Sequence, residues 1–330
     1  MKIITTGKFT LPVVSIAAFI LWWFGGSETA NLYHNACGRA ELSVSDYGLW
    51  ACLPVEWLDG PAGLVAGLVF ATLAVYLMAE LNNANVLLRV SSRMLSSLLA
   101  VMLTACVFLH VMQPAHIIML MAMLSYFTLF ATYQNGNPRI TFLTYMYVSL
   151  ASLVFPKLLL VVPFYWLAQA HFRSLSLRCF CASLVGVCLP YWLYAGCAVC
   201  MDSLAVFLEH VGGVVRFEWG DYTSVSLQRM CLAGYSLLLF LAGTFDFYLK
   251  SYLDKTRTRI LYNVVILFGV VGFLFLIWQI DYFDTLFPLA LLPTVVVAGH
   301  HIVLSDSKFM RIYTAVILVL ALALVVLGVS

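Results

Sequence analysis

Residues 260–280, ILYNVVILFGVVGFLFLIWQI, form an apolar run without a charged side chain. A helix needs roughly 20 consecutive apolar residues to cross the hydrocarbon core of a bilayer, and this run has that length. Comparable apolar runs occupy residues 9–25, 62–80, 94–112, 115–133, 141–156, 158–171, 179–200, 229–248, 285–303 and 311–329. The pattern predicts an all-α transmembrane bundle of about 11 spans, with residues 1–330 forming a single domain.

The composition agrees with a membrane protein. Of the 330 residues, 63% are hydrophobic and only 10% are charged, whereas soluble domains carry about 25% charged residues. A net charge of +2, with the basic residues confined to loops, predicts no nucleic-acid partner. The sequence has no Walker A loop, no GxSxG and no HExxH, so nothing favours an ATPase, an α/β-hydrolase or a zincin.

The distribution of Lys and Arg predicts the orientation. Cytoplasmic loops are enriched in basic residues. With the N-terminus inside, all but four of the seventeen basic residues fall on the cytoplasmic side. The four outer ones are Arg39, Lys157, Arg216 and Arg229. We therefore expect a multi-pass protein of the bacterial inner membrane with a cytoplasmic N-terminus, and an odd number of spans would place the C-terminus outside.

Two outer loops, residues 26–61 and 201–228, are long and rich in aromatic and acidic residues. Trp and Tyr favour the membrane–water interface, so we expect short amphipathic helices that lie on the membrane there. The runs 141–156 and 158–171 are short for full spans. They are either tilted or form a hairpin that enters the membrane and returns.

Lys157 lies in the sequence SLVFPKLLLVVPFYW, where Pro156 interrupts the two short runs. An ionisable side chain inside a membrane segment is a functional candidate by default. At the tip of an outer hairpin, Lys157 has two interpretations. It binds an anion such as a lipid phosphate, or it snorkels to the interface.

The histidines predict no metal site. Adjacent residues on a helix point about 100° apart, so His300 and His301 cannot both face one metal. His110 and His116 flank the predicted outer turn and can approach each other, but two ligands do not make a zinc site. Asp246 lies near an inner helix end, where partial exposure makes a charge tolerable, and we assign it no function.

The cysteines allow one disulfide. Cys37 and Cys52 both fall in the first outer loop, where the oxidising side of the membrane permits a bond between them. Cys197 and Cys200 form a CxxC, but the thioredoxin-like context that a redox motif needs is absent. The sequence predicts no metal and no cofactor.

The region of about residues 80–193 resembles a known family. Its segments ELNNANVLLRVSSRM, LFATYQNGNPR and SLASLVFPKLLLVVPFYWLAQAHFRSLSLRCFCASLVGVCLPYWL are similar to a family of polytopic membrane proteins of Bacteroidota. Some members of that family are labelled as beta-carotene monooxygenases. Such oxygenases need clustered iron-binding histidines, whereas the seven histidines of this chain are scattered.

A second resemblance is to GT-C-type glycosyltransferases, which use lipid-linked sugars. These enzymes carry a carboxylate motif at the start of the first outer loop, and GGSETANLYHNACGRAEL, with Glu28, Tyr33 and Arg39, looks similar. They also have a short hairpin with a Lys at its outer turn and a Pro about six residues later. FPKLLLVVP places Lys157 and Pro163 in that way.

The GT-C resemblance implies roles for these residues. Glu28 would be the catalytic general base, and Lys157 would offset the charge of a polyprenyl phosphate. Tyr33 and Arg39 would bind substrate. Ser27 stands where the family has an Asp, so the resemblance also covers a degenerate relative without activity.

Three functions follow as hypotheses. The first is a GT-C-like glycosyltransferase, or a degenerate relative, that uses a polyprenyl-phosphate-linked sugar at the outer face. The second is a transporter, which predicts repeats and a polar site at the midplane. The third is a non-catalytic membrane subunit or scaffold. In each case the predicted partners are membrane lipids, and the sequence identifies no protein partner.

Overall fold

The computed structural model describes residues 16, 17, 20–22, 61–88, 93–216, 219–304 and 308–329. Within these ranges every regular element is helical and there is no strand, which confirms the predicted all-α fold. The described chain forms two compact units. The first unit contains the described residues up to His116 and from Gly220 onward, and the second contains Ile117–Trp219.

The described α-helices are numbered in chain order. They are α1 (Pro61–Asn85), α2 (Met94–Ala105), α3 (Pro114–Ala131), α4 (Pro138–Val154), α5 (Val162–His171), α6 (Leu177–Cys200), α7 (Leu204–Gly213), α8 (Leu227–Lys250), α9 (Thr256–Trp278), α10 (Phe283–Leu304) and α11 (Lys308–Val329). The first unit holds α1, α2 and α8 to α11. The second holds most of α3 together with α4 to α7.

Six of these helices, α1, α3, α6, α8, α9 and α10, are long and apolar enough to cross a membrane. The chain is therefore an all-helical, multi-pass membrane protein. The count of about 11 spans stays a prediction. The expected span 94–112 is not one helix, because α2 ends at Ala105 and a separate 3-10 turn, Val107–His110, follows.

The core of the first unit surrounds α10. This helix packs against α8, α9 and α2. Of the 18 residues in its most apolar stretch, 83% are buried, compared with 22% in the corresponding stretch of α6. Close approach needs small residues: a Cβ on Gly243 of α8 would lie 2.8 Å from the carbonyl oxygen of Val297. The absence of a side chain at Gly243 thus lets α8 and α10 approach to backbone contact.

The second unit is organised around α4 and α6. The side chain of Asn137 accepts from the N–H of Arg139 at the start of α4. The side chain of Ser176 accepts from the N–H of Cys179 at the start of α6. Both are ordinary N-caps. Gly186 of α6 faces α4 so closely that a Cβ there would lie 2.6 Å from the carbonyl oxygen of Phe142.

The helical framework is interrupted where the short runs 141–156 and 158–171 meet, and whether they are tilted or form a hairpin that returns stays a prediction. The helix α4 ends at Val154, a 3-10 turn covers Pro156–Val161, and α5 runs for only ten residues, Val162–His171. In the second long loop, α7 is the short helix that was expected. The first loop, 26–61, lies outside the described residues except for its last residue.

Candidate functional site

Lys157 is held in the turn that joins α4 to α5. Phe155 leaves α4 in an extended conformation (φ −133°, ψ 103°) while its N–H still donates to the carbonyl of Ala151. Pro156 follows and has no N–H with which to continue the helical ladder, so the chain turns. Lys157 is only 7% exposed. The turn thus buries this side chain within the second unit.

Two hydroxyl groups near the end of α4, close to this turn, form hydrogen bonds with α6. The hydroxyls of Ser152 and Tyr191 lie 3.0 Å apart and share a hydrogen bond between α4 and α6. One turn earlier, the hydroxyl of Ser149 donates to the carbonyl of Val187 at 2.8 Å. The end of α4 next to Lys157 therefore presents polar groups to α6.

A buried histidine completes this region. His210 of α7 is fully buried, and its ring centroid lies 6.0 Å from that of Tyr191 and 5.7 Å from that of Tyr194. Burial lowers the pKa of His210, and a hydrogen bond with the backbone of Ser152 partly offsets this effect. The ring is therefore enclosed by two tyrosines and by the backbone of Ser152.

Pro156 connects His210 to the Lys157 turn. A Cβ on Gly213, one helical turn after His210, would lie 3.2 Å from the Cγ of Pro156. The helix α7 thus rests on the residue that precedes Lys157. Sequence reasoning missed His210, because nothing in an aromatic outer loop indicates that this histidine is buried.

A hydrogen-bonded network fixes the hairpin from its other side. The hydroxyl of Tyr145 on α4 donates to the side-chain oxygen of Gln169 on α5 at 3.2 Å. The amide nitrogen of Gln169 donates to the hydroxyl of Thr141 at 3.4 Å. These bonds satisfy polar groups that are costly to bury alone, and they hold α5 against α4.

Of the predicted site residues, the structure describes only Lys157. Glu28, Tyr33 and Arg39 lie outside the described residues. Their roles and the convergence of Glu28 with Lys157 therefore stay predictions.

The cysteines divide in the same way. Cys37 and Cys52 lie outside the described residues, so the possible disulfide between them stays a prediction. Cys197 and Cys200 are both free and exposed near the end of α6.

The first unit contains a cluster of paired ionisable groups that the sequence did not reveal. The Nε2 atom of His300 lies 3.2 Å from the Oδ2 atom of Asp254, and both side chains are fully buried. The Nδ1 atom of His301 lies 2.9 Å from the Oδ2 atom of Asp246. The other carboxylate oxygen of Asp246 forms an ion pair with Lys250. The two adjacent histidines contact different aspartates, as their 100° separation on the helix requires.

A second ion pair lies at the opposite ends of the same helices. Arg229 near the start of α8 donates to both carboxylate oxygens of Asp284 near the start of α10, at 2.8 and 2.5 Å. Asp284 is 1% exposed. Such two-pronged pairs are among the stronger hydrogen-bonded contacts in proteins. The helices α8 and α10 are therefore joined at both ends, by the Arg229–Asp284 ion pair and by the contact between Asp246 and His301.

His110 and His116 have structural hydrogen bonds. The Nε2 atom of His110 lies 3.0 Å from the carbonyl oxygen of Thr104, and that of His116 lies 3.0 Å from the carbonyl oxygen of Leu109. These contacts satisfy backbone carbonyls around the turn between α2 and α3. Among the described residues, no group of three His, Cys, Asp or Glu side chains is placed to hold a metal.

Comparison with known proteins gives no relative from which to transfer a function. No family model matches the sequence, and no curated protein matches it either. The function has to be inferred from the chain's own side chains.

Proposed function

We propose that this chain is a GT-C-like glycosyltransferase, or a degenerate relative of one, that uses a polyprenyl-phosphate-linked sugar at the outer face of the bacterial inner membrane. The observation that supports this proposal is the burial of Lys157 at a Pro-interrupted turn between two short helices. The segment FPKLLLVVP, which contains Lys157, is one of the two motifs on which the GT-C resemblance rests; the other is the first-loop segment with Glu28.

Burial favours anion binding by Lys157 over snorkelling. A snorkelling lysine keeps its ammonium group in water, whereas Lys157 is only 7% exposed. Ionisable residues in membrane segments are expensive and are retained mainly where they serve a function. A lysine ammonium is a compact point charge and a common binder of phosphate.

The proposed reaction is transfer of a sugar from a lipid phosphate to an acceptor hydroxyl. Glu28 takes the hydroxyl proton as the acceptor oxygen attacks the anomeric carbon. The bond from that carbon to the phosphate oxygen breaks, and the polyprenyl phosphate leaves with the electron pair. Lys157 stabilises the negative charge that grows on the phosphate. Tyr33 and Arg39 bind the substrate.

The alternatives receive less support from the described residues. A transporter predicts a polar site near the midplane on broken helices. The ion pairs Arg229–Asp284 and Lys250–Asp246 of the first unit instead lie at the ends of α8 and α10, so they give transport no specific support. A non-catalytic subunit or scaffold is the outcome that remains if neither lipid binding nor glycan transfer depends on the proposed residues.

Replacement of Lys157 by Met tests the proposal. The variant keeps the apolar stem and removes the charge. We expect the Kd for polyprenyl phosphate to rise about tenfold or more, since a charge-assisted contact is lost. Binding is measured by native mass spectrometry on the full-length protein in detergent. The control variant is Lys255→Met, because Lys255 is exposed and lies in the first unit.

Two results would contradict the proposal. Unchanged lipid binding in a folded Lys157→Met protein would remove the phosphate role of this lysine. An unaltered glycan profile in a strain that carries Glu28→Gln would remove the transferase activity and favour a degenerate relative or a scaffold.

A further inference from the structure

The second unit carries three arginines at the end that is opposite to Lys157. Arg139 lies in the first turn of α4, Arg173 in the turn that follows α5, and Arg178 in the first turn of α6. Lys157 instead follows the last residue of α4. All three arginines are exposed, and among the described residues none of their guanidinium groups has an ion pair or a hydrogen bond.

The two turns at this end of the second unit contact each other. The N–H of Gln134, between α3 and α4, donates to the carbonyl of Phe172 at 3.2 Å. A Cβ on Gly136 would lie 3.7 Å from the carbonyl oxygen of Ser174. The ring of Phe172 is buried, and its centroid lies 6.4 Å from that of Phe130 near the end of α3. The backbone therefore brings the arginines of both turns to the same end of the unit.

This end of the second unit lacks acidic residues. The sequence contains no Asp or Glu between Glu80 and Asp202, and neither α4 nor α6 has an acidic residue in its first turn. Asp202 follows the last residue of α6 and is therefore remote from the start of that helix. The positive charges of the three arginines are not offset by any carboxylate at this end of the described unit, so they favour an anionic partner.

Arg173 occupies a backbone position that favours glycine. Its φ is 56°. Its N–H donates to the carbonyl of Ala170, and the N–H of Ser174 donates to the carbonyl of Gln169. These two bonds end a helix at a left-handed residue, which is most often Gly, because a Cβ makes that conformation less favourable. An arginine where glycine fits better indicates a role for the arginine side chain.

The same end lies where a bilayer surface is expected. The helix α3 ends at Ala131 and α6 begins at Leu177, and both helices are long and apolar enough to cross a membrane. Leu175 and Leu177 are 37% and 79% exposed, so apolar side chains stand beside the arginines. Such side chains can enter the apolar layer while guanidinium groups stay at the headgroups. The predicted orientation places this end at the cytoplasmic leaflet, which is rich in anionic lipids.

We propose that Arg139, Arg173 and Arg178 bind the headgroup of an anionic phospholipid. A guanidinium group donates paired hydrogen bonds to phosphate oxygens, and basic groups at the cytoplasmic ends of membrane helices bind acidic headgroups. A zwitterionic headgroup also carries an ammonium charge, which the three arginines repel, so the site prefers an anionic lipid. The proposal does not rest on the glycosyltransferase reaction, whose phosphate is assigned to Lys157.

Replacement of Arg139 and of Arg178 by Gln tests the charge in the full-length protein. Phosphatidylglycerol is titrated in detergent and binding is read by native mass spectrometry, with phosphatidylcholine as the zwitterionic probe. We expect the Kd for phosphatidylglycerol to rise about fivefold for each arginine removed and the Kd for phosphatidylcholine to stay unchanged. Arg216→Gln is the matched control, because Arg216 is exposed in the same unit but follows α7, whose Gly213 packs on Pro156 beside Lys157.

Arg173→Gly separates the charge from the fold. Glycine suits the left-handed conformation, so the thermal unfolding midpoint should stay or rise, while the Kd for phosphatidylglycerol rises about fivefold. Gln134→Gly is the control, since Gln134 has a φ of 55° and no charge. It should change the midpoint in the same direction and leave the binding of phosphatidylglycerol unchanged.

Four results would overturn the proposal. Equal weakening of phosphatidylglycerol and phosphatidylcholine binding shows that charge is not recognised. An effect of Arg216→Gln as large as that of Arg139→Gln shows only a general surface charge. Displacement of phosphatidylglycerol by equimolar inorganic phosphate or polyglutamate shows a site for any anion. A lower midpoint in Arg173→Gly with normal lipid binding shows that this arginine serves the fold. Each result leaves the role of Lys157 standing.

Discussion

The two units bury ionisable side chains in different ways. In the first unit, the buried ring of His300 contacts Asp254, and Arg229 donates two hydrogen bonds to Asp284. In the second unit, His210 is as deeply buried as His300, but it contacts the rings of Tyr191 and Tyr194 and the backbone of Ser152, with no carboxylate among these contacts. The difference indicates that the first unit pairs its buried ionisable groups with opposite charges, whereas the second unit encloses its buried histidine in aromatic side chains and backbone.

The largest expected effect is on the first unit. Replacement of Asp254 by Ala removes the carboxylate that the buried ring of His300 contacts and leaves a cavity beside that ring. We expect a loss of about 3 kcal/mol or more in the free energy of unfolding, as for other buried pairs that lose one partner. Thermal denaturation in detergent, followed by circular dichroism, measures it, with Glu209→Ala on the exposed face of α7 as the control.

The same measurement can contradict the contrast between the two units. If Asp254→Ala unfolds at the temperature of the original protein while His210→Phe unfolds well below it, the contact of His300 with Asp254 contributes less to stability than the surroundings of His210 do.

A smaller effect is expected from Arg229→Lys. Lysine keeps the positive charge but cannot reproduce the two parallel hydrogen bonds to Asp284. We expect a loss of about 1–2 kcal/mol, read from the same thermal denaturation. Arg259→Lys, at an exposed position on α9, should have no measurable effect. Equal effects of the two substitutions would show that the geometry of the Arg229–Asp284 pair is unimportant.

The smallest effect is expected from Tyr191→Phe. The substitution removes the hydroxyl that lies 3.0 Å from that of Ser152, but the Ser152 hydroxyl still donates to the carbonyl of Ser149. We expect a loss of at most about 1 kcal/mol, because no buried polar group is left unsatisfied. Denaturation of Tyr252→Phe, which alters an exposed side chain, provides the baseline. A loss as large as that of Asp254→Ala would mean that the second unit also depends on closed polar pairs.

Apolar runs and prolines predicted much of the helical framework. The run 260–280 corresponds to α9, and Pro156 marks the observed break between α4 and the short helix α5. The run 94–112 shows what such patterns miss. It contains no proline or glycine before its end, yet α2 stops at Ala105, since Cys106 leaves the helical conformation with ψ at 78°. Hydrophobicity reports the length of an apolar segment but not the continuity of its helix.

The candidate site was predicted only where the signal was local. Lys157 stands out because a charge beside a proline interrupts apolar sequence. The ion pair of Asp246 with Lys250 joins residues at i,i+4 spacing on a helix, which is also a local signal, but this pair was not predicted. The contacts of His300 with Asp254 and of Arg229 with Asp284 join residues 46 and 55 positions apart, and no local pattern indicates which distant side chain will lie opposite.

By itself, the sequence determined that the chain is helical, that it has segments suited to a bilayer, and that a lysine lies at the turn of a short hairpin. These properties depend on the transfer of apolar side chains from water and on backbone hydrogen bonding, both of which act over one segment at a time. Only the tertiary structure decided that His210 is buried against Tyr191 and Tyr194. Its environment is set by the packing of α7 on α6 and on Pro156, and burial of a side chain is a property of several segments together.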